Sequence, residues 1–212
     1  SFDDHLRDLA KVFAWLSAAN LKMKAKKCSF CCEEVTYLGH VVTPDGLHPD
    51  PAKIAAIAEW PVPTSGTEVQ RFLGLAAYYR KFVENFAAIA KPLYAAGNAK
   101  GAFDWSAQCQ AAFTTLQRRL TTAPILAMPD FSRQFDIILQ TDASDSGIGA
   151  VLTQKDKNGR EHVISYASRS LTPTEVKYFT QEKEALAIAW ACDYFHLYLI
   201  GDKFVMETNH QS

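Results

Sequence analysis

Two carboxylates in the last third of the chain have the setting of a divalent-cation site. Asp142 ends the apolar run QFDIILQTD and precedes a turn of small residues, ASDSG, which lets a ligand approach the backbone. Glu184 lies in an amphipathic helical run. Carboxylates from a strand end and a facing helix suit hard cations, and two such ions about 3.5–4 Å apart support phosphodiester hydrolysis. Each residue also has an ordinary interpretation, an Asx turn for Asp142 and a solvated helix side chain for Glu184.

Two other groups of residues invite a chemical interpretation. Cys28-x-x-Cys31-Cys32 has half the spacing of a zinc site, but no second pair follows, which favours structural or incidental thiols. The set Tyr78, Tyr79, Arg80, Lys81 and Phe82 would suit stacking on a nucleic-acid strand, although core aromatics with flanking surface charges are the commoner explanation. Both interpretations of this set stay open at the level of sequence.

Composition narrows the class of protein. The 212 residues are 48% hydrophobic and 21% charged, with no apolar run of membrane-spanning length, which predicts a folded protein without a membrane partner. Five cysteines favour a reducing compartment over a disulfide framework. The net charge is −1, but residues 51–130 carry 8 basic and 5 acidic side chains, so a weakly basic middle segment can face phosphates. Because the chain begins with Ser1 rather than Met, we expect it to be an excerpt of a longer protein.

The sequence of the first two thirds predicts several helices and one hairpin. Spacing and capping signals predict helices from Asp3–Asp4 to Asn20, from Pro51 to Trp60, after the capping box Ser65–Glu68, and from Ser106 to Leu120. Gly74 is expected to divide the helix after the capping box from a third one carrying AAYYRKFVENF. The alternation of apolar residues with Lys22, Lys24 and Lys26 predicts a strand, and EVTYLGHVVTPDGLHP predicts a strand, a turn and a return strand.

The sequence of the last third predicts the element order β-β-β-α-β. QFDIILQTDAS, GIGAVLTQK and EHVISYAS read as three antiparallel strands, the last two joined by the hairpin signal Asn158-Gly159. Thr172–Glu175 is expected to cap a helix, a longer helix runs from Thr180 to about Leu197, and KFVMET is a final strand.

Five blocks, spread over most of the chain, resemble the reverse transcriptase to ribonuclease H region of gypsy-type LTR retrotransposon polyproteins. They are VTYLGHVVTPDGLHPDPAKIAAIAEWPVP, FLGLAAYYRKFVENFAAIAKPL, FDWSAQCQAAFTTLQ, LQTDASDSGIGAVL and EKEALAIAWA. The resemblance implies an α/β (α+β) chain: the end of a reverse-transcriptase palm at 1–47, a helical thumb at 48–98, a connection segment at 99–132, and a C-terminally truncated RNase H-like domain at 133–212.

The resemblance also implies the site residues. Asp142 and Glu184 match the first two of four family carboxylates, and Asn209 occupies the position of the third, a family Asp. The fourth is expected beyond Ser212, and the family's polymerase aspartates precede the first helix. We therefore expect no polymerase activity, at most weak binding of one Mg²⁺ or Mn²⁺ by Asp142 and Glu184, and no hybrid cleavage by this chain.

Expected partners follow from the same resemblance. The intact family copies RNA into DNA and hydrolyses the RNA of RNA–DNA hybrids, so a hybrid or a DNA duplex is the expected ligand. Its contacts are expected at a primer-grip hairpin with Tyr37, Gly39 and His40, and at thumb residues Arg71, Arg80 and Lys81. These three lie in the weakly basic middle segment, where basic and aromatic residues are predicted to converge at helical spacing.

The other expected partners are the palm and fingers upstream and integrase downstream, in an intracellular particle or the nucleus, with self-association through an exposed final strand. A non-catalytic nucleic-acid-binding or assembly module is the alternative. An actin-like ATPase would share the strand, Asp and Gly-rich turn, but no second Asp-Gly phosphate loop is present.

Overall fold

A computed structural model describes residues 2–99, 101–132, 136–201 and 203–208, which divide into two compact units at residues 35 and 36. In the first unit, helix α1 spans Phe2–Ala18, and Asn20 follows it with a left-handed φ of 56°. The strand predicted around Lys22–Lys26 is wrong, because a 3-10 turn forms at Ala25–Lys27. The backbone of this turn makes local hydrogen bonds, such as that from the Cys28 N–H to the Ala25 carbonyl at 3.0 Å, rather than bonds to a neighbouring strand.

The second unit begins with short strands. Strand β1 spans Val35–Tyr37, β2 His40–Thr43 and β3 Gly46–Pro49, with β2 and β3 antiparallel. The strand-turn-strand prediction is confirmed, although residues 38 and 39 interrupt its first strand. Gly46 has a φ of 136°, and a Cβ there would lie 2.3 Å from the carbonyl oxygen of Leu126. Only glycine fits this turn.

Four helices follow: α2 at Pro51–Ala58, α3 at Gly66–Tyr78, α4 at Phe86–Gly97 and α5 at Ala107–Thr121. The predicted caps are confirmed, since the side chains of Asp50 and Ser65 accept from the backbone N–H groups of Ala52 and Glu68.

The predicted division of the second of these helices at Gly74 is wrong. The helix α3 continues to Tyr78 because neighbouring residues such as Phe72 and Ala76 bury its inner face, which outweighs the roughly 1 kcal/mol cost of a helical glycine. The predicted third helix is also wrong, because AAYYRKFVENF covers the end of α3, a 3-10 turn at Arg80–Phe82 and the start of α4.

One hydrophobic core holds these helices together. Phe72 of α3 and Phe113 of α5 are fully buried with ring centroids 4.6 Å apart, and Leu93 of α4 is part of the same core. The amide of Gln117 donates to the carbonyl of Ile57 at 2.9 Å, at the end of α2. Helix α5, which the sequence assigns to a connection segment, therefore packs into the core of the preceding helices.

The last third forms a four-stranded sheet with two helices. Strands β4 at Ile137–Ala143, β5 at Gly147–Lys155, β6 at Glu161–Ser170 and β7 at Phe204–Thr208 lie in the order β6-β5-β4-β7. Neighbouring strands are antiparallel except β4 and β7, which are parallel. Helices α6 at Thr180–Tyr194 and α7 at His196–Leu199 separate β6 from β7. The predicted β-β-β-α-β order is confirmed.

Two local predictions in this part are wrong. The helix expected to reach Leu197 ends at Tyr194, because Phe195 leaves the helical path and is buried against the sheet. The motif Thr172–Glu175 caps a 3-10 turn at Glu175–Lys177 rather than a helix. Within the described residues, no helix has the length and apolar character needed to cross a membrane.

Candidate active site

Asp142 lies at the end of β4, opposite Gly149 of β5, and its side chain is exposed. The following turn is well ordered by its own hydrogen bonds. The hydroxyl of Ser144 donates to the Gly147 carbonyl at 2.9 Å, and the Gly147 N–H donates back to that hydroxyl at 3.1 Å. Tight local bonding of this kind holds the strand end that presents Asp142.

The Asp142 carboxylate lines a cleft of about 270 Å³ between the sheet and the segment that leads into α4. Other polar residues of its wall are Glu84, Asn85, Gln140, Thr141 and Glu207. The amide of Gln140 donates to Glu207 at 2.9 Å. The cleft is therefore acidic and oxygen-rich, a setting that suits a hard cation better than a bare phosphate.

Asn85 approaches the sheet closely in this cleft. It has a left-handed φ of 55°, and its Oδ1 atom would lie 3.1 Å from a Cβ placed at Gly149. The backbone N–H of Ala87 also donates to the Ser168 hydroxyl of β6 at 3.0 Å. The helical segment thus contributes one wall of the cleft that holds Asp142. Sequence reasoning missed this wall, because the one local signal of a close backbone approach is Gly149, the second glycine of GIGAVL.

Glu184 lies near the start of α6 and is partly buried. Its Oε2 atom is shielded from solvent and makes no hydrogen bond. Its charged neighbours are engaged: Glu182 accepts from the Phe179 N–H at 2.8 Å, and Lys183 donates to Asp145 at 3.1 Å. A buried carboxylate oxygen without a partner is costly, so the Glu184 Oε2 atom would gain from binding a ligand.

The elements that carry the two candidate carboxylates pack together. Ala191 of α6 and Leu139 of β4 belong to one buried cluster. Alternation along β4 places Asp142 on the strand face opposite Leu139, and Glu184 is not part of the cleft wall. Asn209 lies outside the described residues. The direct convergence of Asp142, Glu184 and Asn209 on one metal stays a prediction. The described part of the chain contains no group of three or more His, Cys, Asp or Glu side chains that could hold a metal.

The predicted hairpin contacts fall into two kinds. Tyr37 is 65% exposed. Gly39 and His40 instead meet the end of α3, where the Tyr79 hydroxyl donates to the Gly39 carbonyl at 2.7 Å and the Tyr78 hydroxyl donates to the Leu38 carbonyl.

The ring of His40 packs within this joint. It stacks on Phe82 at 5.8 Å between ring centroids, and its Nδ1 atom bonds the Leu38 carbonyl at 2.9 Å. Burial lowers the pKa of His40, and the charge of Lys81 lowers it further, while the bond to Leu38 acts in the opposite direction. The core interpretation of the aromatic set is confirmed for Tyr79 and Phe82, which are 0% and 2% exposed.

The predicted helical spacing of basic and aromatic residues is wrong for Arg80 and Lys81, while their contact with nucleic acid stays a prediction. Arg71 is exposed on α3, whereas Arg80 and Lys81 lie in the 3-10 turn after that helix has ended. The Arg80 guanidinium lies 5.8 Å from the ring centroid of Tyr194 on α6 and bonds its hydroxyl at 3.4 Å. Lys81 packs over Phe82, and burial lowers its pKa. Arg71 and Arg80 are both exposed, as a phosphate contact requires, although Arg80 is also engaged with Tyr194.

The cysteine cluster shows no metal-site geometry in the described residues. Cys28 bonds the carbonyl of Lys24 through its sulfur at 3.3 Å, and Cys31 and Cys32 are exposed free thiols.

Comparison with known families identifies the sheet and its helices. Residues 105–206 match the family described as "RNase H-like domain found in reverse transcriptase". The whole chain superposes on the foamy viral protease-reverse transcriptase in complex with an RNA/DNA hybrid, with a TM-score of 0.79, 27% identity and coverage of 28% of that chain. The fold and the site thus define an RNase H-like domain of the reverse transcriptase type, joined to a preceding helical segment.

Relatives among retrotransposons specify the family further. The chain is 43% identical over 212 residues to the Pol polyprotein from transposon 297 and 39% identical over 221 residues to that from transposon gypsy, both of Drosophila melanogaster. These matches cover 100% and 98% of this chain but 19% and 21% of the relatives. The chain belongs to the gypsy-type retrotransposon Pol family, and it spans about a fifth of the length of these relatives.

Proposed function

We propose that the chain acts in a retroelement Pol polyprotein as the RNase H-like region that binds an RNA–DNA hybrid or a DNA duplex. Two features together carry the proposal. Asp142 is exposed at a strand end, and the helix that packs on the same sheet holds Glu184 with its Oε2 atom buried and unbonded. The similar foamy viral protease-reverse transcriptase, whose structure is a complex with an RNA/DNA hybrid, supports the same ligand class.

The residues fit a divalent cation in donor chemistry. Asp142 and Glu184 would supply hard oxygen ligands to Mg²⁺ or Mn²⁺. Such ions generate hydroxide and stabilise the leaving oxygen in phosphodiester hydrolysis. Asn209 offers a neutral carbonyl where relatives are expected to have a carboxylate, so the chain has less negative charge with which to hold two dications. We therefore propose weak binding of one ion and no hybrid cleavage.

The proposed nucleic-acid contacts combine shape and charge. Tyr37, Arg71 and Arg80 are exposed and can reach a strand, whereas Gly39, His40 and Lys81 lie in joints within the protein. Two exposed arginines predict weak, salt-dependent binding, and no base preference is expected, because hybrids are recognised mainly through backbone shape and the 2′-hydroxyl. Contacts with the palm, the fingers and integrase, in an intracellular particle or the nucleus, are further proposals from the family resemblance.

A non-catalytic binding or assembly module is the second candidate, and Asn209 favours it for this chain. Neither candidate predicts cleavage, so a cleavage assay on a labelled RNA–DNA hybrid with Mg²⁺ or Mn²⁺ tests what they share. Anisotropy measurements of hybrid and duplex binding, run beside it, separate a nucleic-acid-binding region from an assembly module. Binding without cleavage supports the proposal as stated. Cleavage that Asp142→Asn abolishes would show that the chain is a nuclease, and absence of any hybrid or duplex binding would refute the proposed ligand class.

A further inference from the structure

Lys183 is an unusually buried lysine beside the proposed site. Its side chain is 8% exposed, and its ammonium donates to the carboxylate of Asp145 at 3.1 Å. Asp145 is fully exposed at the turn between β4 and β5. Lysines are seldom this buried unless they are paired, so the contact fixes the path of a long, otherwise mobile side chain.

Both ends of this ion pair are anchored. The turn that carries Asp145 is closed by the Ser144 hydroxyl, and the Leu171 N–H donates to the Ser146 carbonyl at 3.0 Å. At the other end, the Glu182 carboxylate caps the first turn of α6. The pair therefore connects two locally rigid segments, a strand turn and a helix start.

The two anchored segments are the ones that present the candidate carboxylates. Asp145 follows Asp142 by three residues, and Lys183 directly precedes Glu184. We propose that Lys183 and Asp145 are positioning residues, which set the place of Glu184 relative to Asp142 for a divalent cation. This inference rests on the proposed function, because it concerns the same cation site.

Positioning and simple electrostatics predict opposite results for one substitution. Removing the Lys183 ammonium would strengthen cation binding if its charge merely repelled the ion, whereas loss of positioning would weaken binding. Removing the Asp145 carboxylate weakens binding in both cases. Lys183→Met, which keeps an unbranched apolar stem without the charge, therefore separates the two explanations.

The test measures the affinity of the full chain for Mn²⁺ by electron paramagnetic resonance. Lys183→Met and Asp145→Asn are each expected to weaken binding by about tenfold, the scale seen when supporting residues of metal ligands are removed. Lys183→Arg should restore most of the affinity. Lys155→Met is the matched control, because Lys155 pairs with Glu161 at 3.7 Å at the far end of β5 and should leave Mn²⁺ affinity unchanged.

Each outcome bears on a different claim. Tighter binding by Lys183→Met, or unchanged binding by both variants while Glu184→Gln abolishes it, overturns the positioning role and leaves the proposed site intact. Absence of Mn²⁺ binding by the unmodified chain overturns the proposed cation site and the positioning role with it. Because Asp145 is fully exposed, Asp145→Asn is expected to fold, and an unchanged Mn²⁺ affinity in that variant would overturn the positioning role even if Lys183→Met fails to fold.

Discussion

The Tyr79 hydroxyl provides a direct test of the joint between the β2 hairpin and the helical segment. Tyr79 is 0% exposed, and its hydroxyl donates to the Gly39 carbonyl at 2.7 Å. Tyr79→Phe removes this hydrogen bond while keeping the ring. The carbonyl keeps a second donor, the backbone N–H of Asp50 at 3.3 Å, so it is not left unsatisfied. The expected loss is therefore about 1 kcal/mol rather than the roughly 3 kcal/mol upper end of the cost for an orphaned buried group.

Urea denaturation followed by tryptophan fluorescence measures this loss, and hydrogen exchange at the amides of β2 locates it. A change of about 1 kcal/mol corresponds to a decrease in Tm of roughly 2–4 °C for a domain of this size. Tyr94→Phe is the matched control, because Tyr94 is 43% exposed on α4 and its substitution should alter stability by less than about 0.5 kcal/mol. Equal effects of the two substitutions, or unchanged exchange in β2, would show that ring packing alone holds the joint.

Four further outcomes are expected. Gly39→Ala should cost about 1–2 kcal/mol, because its φ of 67° is left-handed and a Cβ would lie 3.3 Å from Tyr78; denaturation measures this. Because burial lowers the pKa of His40, its protonation favours the unfolded chain; stability should decrease as the pH falls below about 6.5, and less so in His40→Phe. The Arg169 guanidinium holds the pKa of Glu175 at about 2, so protonation of Glu175 destabilises the folded chain as the pH falls from about 5 to 2. In acid titrations Glu175→Gln should therefore lose less stability over this range than the unmodified chain. Asn209→Asp should tighten Mn²⁺ binding, and unchanged affinity would contradict its assigned place in the site.

Self-association through β7 stays a prediction that sedimentation can test. In the described residues β7 is one of the two edge strands of the sheet, the other being β6, and Val205 on β7 is 42% exposed. An unpaired strand edge favours pairing between chains. A strictly monomeric chain at high concentration, with the amides of β7 protected from exchange, would show that the edge is covered.

Local signals in the sequence were sufficient for most elements. The caps at Asp50 and Ser65 and the alternating strands of the last third depend on neighbours within a few residues, so their patterns predict structure directly. The Lys22–Lys26 strand and the division at Gly74 failed for the opposite reason. A strand requires a pairing partner, and a helical glycine is tolerated when its neighbours bury a core face.

The sequence by itself determined the residue types of the candidate site and, through resemblance, the family. Asp142, Glu184 and Asn209 are recognisable from short ordered motifs. Only the tertiary structure decided which residues surround Asp142 and Glu184, because those contacts join segments far apart in the chain. It brought Asn85 to the wall of the Asp142 cleft and turned Arg80 toward Tyr194. Long-range packing determines which of several side chains with the same local pattern become buried or paired, and a short stretch of sequence does not contain that information.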